Sequence, residues 1–278
     1  MTDSLLTVDG LEVTYPGRTG VTRAVRNASF TLGRERLGVV GESGSGKTTV
    51  GRALLGLLPR TARVTAKTMS YEGTDLLRLG ERAWQRLRGR RMSMVMQDPK
   101  YSLNPVKTVG KQIGETCMLH LKTDRSDARR RTLAMLEAVQ IREPELVYGL
   151  YPHQLSGGMG QRVMIAMMLI AEPDLLIADE PTSALDVTVQ NEVLRILDDL
   201  VRERGMGLIL ISHNLTMVAS FCDRVLIMYG GRIVEQCAAS ELQNAKHPYT
   251  RALVAATPSL DVQKAELATV VRDPGWLA

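Results

Sequence analysis

The stretch Leu37-Gly-Val-Val-Gly-Glu-Ser-Gly-Ser-Gly-Lys-Thr48 joins an apolar run to the pattern Gly-x-x-x-x-Gly-Lys-[Ser/Thr]. Residues 37–40 predict a buried strand, and a helix is expected to begin near Lys47. The glycines between them allow the backbone to curl so that successive N–H groups face phosphate oxygens. The positive end of the helix dipole adds to this attraction. The stretch therefore predicts a strand, a phosphate-binding cradle and a helix, which together form the central unit of an α/β fold.

The rest of the chain places this unit in a layered fold. Further apolar runs of strand length alternate with helical patterns, which predicts a covered parallel sheet. These runs are residues 175–178, 208–211 and 225–228. Residues 5–15 and 25–32 alternate in polarity instead, and they predict an N-terminal antiparallel β-layer.

The middle of the chain has a different pattern. Between about residues 76 and 158 the strand signal is confined to residues 92–96, and polar helical patterns such as 126–140 dominate. We therefore expect three regions. They are a nucleotide-binding core with the β-layer over residues 1–75 and 159–238, an inserted helical subdomain over 76–158, and a tail over 239–278.

Composition narrows the class of protein. The net charge is +5, but aromatic residues make up only 4% of the chain, too few for stacking along a nucleic-acid strand, so we expect no nucleic-acid partner. Cys117, Cys222 and Cys237 form no Cys-x-x-Cys pair, which favours reduced, buried thiols. No apolar run reaches the roughly 18 residues of a membrane helix, and the first residues lack a secretory pattern. These features favour a cytoplasmic location.

The cradle residues predict a nucleotide with Mg²⁺ as the ligand. Lys47 is expected to bridge the β- and γ-phosphates, and the Thr48 hydroxyl to bind Mg²⁺ between them. The remaining candidate residues of the cradle are Gly41, Glu42, Ser43, Gly44, Ser45, Gly46 and Thr49.

Two adjacent carboxylates, Asp179 and Glu180, follow the apolar run 175–178. Ligands bind at the carboxyl ends of strands in parallel sheets, where the chain turns and both side chains can face a nucleotide. Asp179 is expected to hold Mg²⁺, and Glu180 to polarise a water for in-line attack on the γ-phosphate. The pair therefore predicts hydrolysis of the bound nucleotide.

The segment Leu155-Ser-Gly-Gly-Met-Gly-Gln-Arg162 resembles the LSGGQ signature of the ATP-binding-cassette (ABC) family. Its serine and glycines precede a helical pattern at residues 163–171, so it predicts a second phosphate-facing helix N-terminus. The resemblance implies the ABC form of the P-loop NTPase fold. It also implies a head-to-tail dimer, in which the signature of one subunit closes over ATP held by the other. The signature residues expected at that ATP are Ser156, Gly157, Gly158 and Gln161.

Other segments match the same family in order. By resemblance, Tyr15 stacks on adenine, and Gln97 touches Mg²⁺ and the attacking water. Asp186, at the end of Ser183-Ala-Leu-Asp, belongs to a loop that crosses the dimer interface, and His213 contacts the γ-phosphate. The implied catalytic residues are thus Lys47, Gln97, Glu180 and His213.

Two positions depart from the commonest family pattern. Gly160 stands where serine or glutamine is usual, and Asn214 where aspartate usually follows the histidine. Neither departure removes a catalytic group.

Leu103-Asn-Pro and His247-Pro-Tyr-Thr-Arg-Ala-Leu resemble the peptide and nickel importer branch of the family. That branch implies a second ATPase subunit, either a paralogue or another copy, and two membrane permeases. It also implies indirect work with an extracytoplasmic binding protein, and a peripheral position at the cytoplasmic face of the inner membrane. A permease helix is expected to dock beside Gln97, near residues 100–106. No residue of the chain encodes the cargo.

Two other classes remain open. A soluble cassette could act on nucleic acid or the ribosome, but the interval from Lys47 to Asp179 holds no heptad repeat and no Cys-x-x-Cys pair. An inactive cassette could serve in an enzyme complex, and the complete motifs argue against that alternative.

Overall fold

The computed structural model describes residues 4–17, 20–183, 185–256 and 274–277. The chain forms two compact units, Met1–Leu79 with Ile209–Ala278 and Gly80–Leu208. The domain boundaries expected from the sequence stay predictions.

The described residues form the following strands and helices. The strands are β1 (Leu6–Gly17), β2 (Gly20–Leu32), β3 (Arg36–Val40), β4 (Arg63–Thr65), β5 (Thr68–Tyr71), β6 (Thr74–Asp75), β7 (Met92–Val95), β8 (Leu175–Asp179), β9 (Gly207–Ser212), β10 (Arg224–Tyr229) and β11 (Arg232–Ala238). The α-helices are α1 (Lys47–Leu54), α2 (Glu81–Leu87), α3 (Pro99–Ser102), α4 (Val109–Leu121), α5 (Arg125–Ala138), α6 (Pro144–Gly149), α7 (Gly157–Leu169), α8 (Val187–Arg204), α9 (Leu215–Phe221) and α10 (Pro248–Ala256). Short 3-10 turns cover Leu76–Arg78, Pro152–Gln154, Ala239–Asn244 and Pro274–Leu277.

The first unit contains an antiparallel sheet in the order β2-β1-β5-β6, with β4 also paired to β1. Alternate residues of β1, including Leu6 and Val8, are buried, because side chains of a strand point to opposite faces. The expected N-terminal β-layer is confirmed. Strands β4, β5 and β6 were not expected, because they are two to four residues long and largely polar.

The second sheet of the first unit runs in the order β11-β10-β3-β9. Strands β10 and β3 are parallel, with Val225 opposite Gly38 and Ile227 opposite Val40. Almost all residues of both strands are buried, as expected for a parallel sheet that is covered on both faces. At the edge of this sheet, β11 pairs antiparallel with β10. The sequence analysis did not predict β11.

The second unit holds the parallel pair β7 and β8, in which Met92 lies opposite Leu175 and Val95 opposite Ala178. Helices α4, α5, α6 and α7 pack together in the same unit. Thr108 and Asp124 cap α4 and α5 by accepting hydrogen bonds from backbone N–H groups, which stabilises each helix by about 1 kcal/mol. The expected helical insertion and the strand at residues 92–96 are confirmed.

Cys117 and Cys222 are buried, Cys237 is partly exposed, and all three are free thiols. Burial raises the pKa of the Cys222 thiol to about 12. Within the described ranges, no helix has both the length and the apolarity to cross a bilayer.

Candidate functional site

The phosphate cradle lies in the first unit, between β3 and α1. A Cβ on Gly41 would lie 2.1 Å from the carbonyl oxygen of Met228, so no larger residue fits where the chain leaves β3. Gly46 caps α1 with a φ of +101°, and a Cβ there would lie 2.5 Å from the carbonyl oxygen of Ala24. The loop therefore depends on glycine at both ends.

Lys47 is the first residue of α1 and is only 6% exposed. Its Nζ donates to the carbonyl oxygens of Gly41 and Glu42, at 2.8 and 2.9 Å. The ammonium is thus held against the backbone of the cradle, at the positive end of a helix. The two carbonyl oxygens stabilise the ammonium beside the positive end of the helix by accepting its hydrogen bonds. The same place attracts anions.

Ser45 provides an independent test of whether a polyphosphate fits. The residue is 4% exposed, and among the described residues its buried Oγ has no hydrogen-bond partner. A buried hydroxyl without a partner is unfavourable by about 1–3 kcal/mol. A phosphate oxygen in the cradle would accept a hydrogen bond from this hydroxyl, so the donor set fits a polyphosphate.

Tyr15 and His213 lie in the same unit as the cradle. Tyr15 is half-buried in β1 and pairs with Thr22 of β2. His213 is exposed directly after β9, a strand that neighbours β3 in the sheet. Each position is open to a ligand, and their roles at adenine and at the γ-phosphate stay predictions.

Asn214, one of the two departures from the family pattern, has a structural role as a helix cap. Its side-chain oxygen accepts from the N–H of Met217 at 3.0 Å and so caps α9. Because asparagine and aspartate cap helices about equally well, the change leaves the local structure intact.

In the second unit, the side chains of Gln97 and Glu180 are in contact. Gln97 follows β7 and Glu180 follows β8, and the two parallel strands end at the same edge. The Gln97 Nε2 donates to Glu180 Oε2 at 3.2 Å. The amide thus orients one oxygen of the carboxylate.

Glu180 has an unusual backbone. Its φ is +48°, a left-handed conformation that is unfavourable by about 1–2 kcal/mol for a residue with a Cβ. The N–H and Oγ of Ser183 both donate to its carbonyl oxygen at 3.3 Å, which helps to hold the turn. Such strain persists where the surroundings enforce it, and it collects at functional sites. Asp179, one residue earlier, is 4% exposed.

The signature segment forms an exposed corner. Ser156 caps α7, its Oγ accepting from the N–H of Met159 at 3.3 Å, and Ser156 and Gly157 are exposed. The helix begins at Gly157, six residues before the predicted start at 163, so the glycines belong to its first turns. Gly158 is half-buried beside Val189.

Gln161 and Asp186, two further predicted residues, differ in exposure. Gln161 is 2% exposed inside the second unit, so its side chain does not share the exposed corner with Ser156. Asp186 is exposed and caps α8 by accepting from the N–H groups of Thr188 and Val189. Ala184, in the same loop as Asp186, lies outside the described residues.

Sequence reasoning missed one contact of the cradle. The N–H of Glu42 donates to the hydroxyl of Tyr249 at 3.1 Å. Tyr249 belongs to the His-Pro-Tyr-Thr motif, so the motif marked the residue but not its partner.

Comparisons with known proteins show the family of the chain. A family model described as ABC transporter matches residues 25–183. The chain is 44% identical to the oligopeptide transport ATP-binding protein OppD of Salmonella typhimurium, over 97% of this chain and 81% of that protein. It is 42% identical to the dipeptide transport ATP-binding protein DppD of Bacillus subtilis, over 98% of this chain and 82% of that protein.

Solved structures share the fold. The chain matches cbiO1 of Clostridium perfringens, described as part of the ABC transporter complex cbiONQ, with a TM-score of 0.75 and 25% identity over 91% of this chain and 95% of that one. It matches the dimeric bacterial ABC transporter cassette MJ0796 with a TM-score of 0.76 and 24% identity over 84% of this chain and 98% of that one. With the family model covering more than half of its length and relatives aligned over almost all of it, the chain belongs to the ABC transporter family.

Proposed function

We propose that this chain is the ATP-hydrolysing subunit of an importer for small peptides. The observation that carries the proposal is the cradle. Its buried Lys47 offers positive charge to phosphate, and Ser45, whose Oγ has no hydrogen-bond partner among the described residues, offers a hydroxyl. The choice of peptides rests on the two relatives described above, which are named for oligopeptide and dipeptide transport. Neither name mentions nickel, the other cargo considered from the sequence.

In the first unit, Lys47 binds the terminal phosphates when its ammonium leaves the carbonyls of Gly41 and Glu42. Thr48 would offer its hydroxyl to Mg²⁺, Tyr15 would stack on adenine, and His213 would contact the γ-phosphate. A bound Mg²⁺ would supply charge neutralisation between the phosphates.

In the second unit, Glu180 is the general base and Gln97 orients it through the 3.2 Å hydrogen bond. Asp179 would supply a carboxylate ligand to a bound Mg²⁺. A general base contributes about 10²- to 10⁴-fold to a rate, so loss of the Glu180 carboxylate is expected to leave a small residual activity.

The exposed signature corner supports a dimer. Ser156 and Gly157 stand at the N-terminus of a 13-residue helix and face solvent, where they are accessible to a second subunit. We infer that this corner closes over the nucleotide of a partner, a paralogue or another copy, which binds head to tail. ATP binding closes the dimer and hydrolysis opens it.

The remaining partners follow from the proposed class of transporter. Two permeases would bind beside Gln97 and residues 100–106, where the side chain of Val106 is 78% exposed. The subunit would then lie at the cytoplasmic face of the inner membrane and work only indirectly with an extracytoplasmic binding protein.

The test combines Glu180→Gln with Lys47→Ala and the control Glu203→Gln, which removes an exposed carboxylate of α8. Glu180→Gln is expected to bind ATP normally, to accumulate as a dimer and to hydrolyse ATP about 10²- to 10⁴-fold more slowly. Lys47→Ala is expected to bind ATP weakly, and Glu203→Gln to match the wild type. Full hydrolysis by Glu180→Gln would show that another group is the base.

Cargo needs its own experiment. Membrane vesicles that hold the subunit with its permeases and binding protein are expected to accumulate a labelled tripeptide when ATP is supplied. Accumulation of ⁶³Ni²⁺ without the tripeptide would contradict the peptide proposal. Salt-sensitive binding to DNA or RNA, with no effect of permeases on hydrolysis, would favour the nucleic-acid class instead.

A further inference from the structure

A tyrosine from the C-terminal helix α10 contacts the backbone of the phosphate cradle. The Tyr249 hydroxyl accepts a hydrogen bond from the N–H of Glu42 at 3.1 Å, although the two residues are 207 positions apart in the chain. We propose that Tyr249 is a positioning residue for nucleotide binding, which holds the Glu42 peptide in place while Lys47 engages phosphate. The inference rests on the proposed function only in that the cradle must bind a nucleotide.

The tyrosine itself is rigidly held. Tyr249 is fully buried, and its ring lies 4.4 Å from the ring of Tyr229 and 5.3 Å from that of Trp276, measured between centroids. Tyr229 is the last residue of β10, the strand whose Met228 carbonyl closes against Gly41. The aromatic cluster of Tyr229, Tyr249 and Trp276 is therefore attached to the same strand, β10, that contacts the first glycine of the cradle.

The start of α10 is fixed by a second set of contacts. The carboxylate of Glu235 in β11 accepts from the N–H groups of Lys246 and His247, at 2.7 and 3.3 Å. The ring of His247 in turn accepts from the N–H of Tyr249 at 3.2 Å. Pro248 takes the first helical position, where its missing N–H costs nothing. The contacts of the His-Pro-Tyr motif therefore fix the position of the Tyr249 hydroxyl beside the Glu42 N–H.

The contacts of the Glu42 peptide explain why this matters for binding. Its carbonyl accepts from Lys47 Nζ at 2.9 Å and from the N–H of Ser45 at 3.2 Å. When the lysine turns to phosphate, the carbonyl loses that charged donor. The bond from the Glu42 N–H to Tyr249 does not depend on the lysine, so it can hold the peptide in both states.

Tyr249→Phe tests the idea, because it removes the hydroxyl and keeps the ring. The matched control is Tyr229→Phe, which removes a hydroxyl from the same aromatic cluster. In the full chain, titration with MgATP and with MgADP is expected to give a Kd raised roughly three- to tenfold by Tyr249→Phe, the size of one lost hydrogen bond. Tyr229→Phe is expected to leave the Kd within about twofold, since that change converts to under 0.5 kcal/mol.

The thermal midpoint without nucleotide separates positioning from stability. We expect Tyr249→Phe to change nucleotide affinity far more than the midpoint. An unchanged Kd, or an equal rise in both variants, would overturn the inference. Amide hydrogen exchange of the wild type gives a measurement that needs no variant, because the Glu42 N–H is expected to be protected without nucleotide. Rapid exchange at Glu42 would also overturn it. A wild-type chain that binds neither nucleotide would instead refute the proposed function, and this inference with it.

Discussion

Gly160→Ala is expected to stabilise the protein, although the residue lies in the signature segment. Gly160 is buried in α7, and a Cβ added there would meet the ring of Pro99 at 3.6 and 3.7 Å, an ordinary van der Waals distance. Replacing glycine with alanine inside a helix contributes about 0.8–1.0 kcal/mol, and a buried methyl adds up to about 0.8 kcal/mol. The sum predicts a gain of about 0.8–1.8 kcal/mol, or an increase in Tm of about 2–7 °C for a chain of this size.

Gly158→Ala is the matched control, because it makes the same substitution two residues earlier in the helix. Its Cβ would lie 2.7 Å from Cγ1 of Val189, and a β-branched side chain has little freedom to move away. Overpacking of this kind costs about 1–3 kcal/mol, which offsets or exceeds the gain in helix propensity. Gly158→Ala is thus expected to be less stable than Gly160→Ala by about that amount.

The assay is urea unfolding of the three proteins without nucleotide, followed by circular dichroism, together with their thermal midpoints. The reasoning would be refuted if Gly160→Ala unfolded at lower urea than the wild type. It would also be refuted if the two alanine variants were equally stabilised. The expected result would mean that Gly160 lowers the stability of α7 without removing a contact.

Three further predictions follow from single contacts. In urea unfolding, Asn214→Asp is expected to change the free energy of unfolding by no more than about a few tenths of a kcal/mol. Asn214→Ala should lower it by about 1 kcal/mol, because the cap of α9 is lost. Equal losses in the two variants would contradict the capping role. The free energy of unfolding is expected to fall as pH rises from 9.0 towards about 12. In that window the thiol of Cys222 ionises in the unfolded chain, whereas the buried thiol of the folded protein keeps its proton. Cys222→Ala should therefore show a shallower slope of urea midpoint against pH. Gly41→Ala is expected to weaken MgATP binding at least tenfold in a nucleotide titration, because its Cβ would lie 2.1 Å from the Met228 carbonyl oxygen; unchanged affinity would show that the cradle can shift.

Much of the fold could be predicted because its signals are local. The apolar runs before Gly41 and Asp179 became β3 and β8, and the polar alternation near the N-terminus became a β-layer. In each case the burial of neighbouring residues imposes the pattern on the sequence itself. The helix at residues 126–140 was equally visible, and it appears as α5 over Arg125–Ala138.

The predictions failed where a partner supplies the stability. Strand β4 is three residues long and polar, and it forms by pairing with β1. Helix α7 begins at Gly157, directly after Ser156, where the sequence indicated a helix N-terminus. The apolar pattern at 163–171 understated its length, because glycine disfavours helix and the first turn is held by the cap. Neither effect leaves a periodic signal at the residues concerned.

For the candidate site, the sequence alone determined which groups are available: the lysine and hydroxyls of the cradle, the two carboxylates, the glutamine and the serine of the signature. Only the tertiary structure decided which of them meet, as in the hydrogen bond from Gln97 to Glu180, and which do not, as with buried Gln161. It also decided that Tyr249 reaches the Glu42 N–H across 207 positions. The physical reason is that motifs record the chemistry of neighbouring residues, whereas a contact between distant residues depends on the packing of every element that holds the two in place.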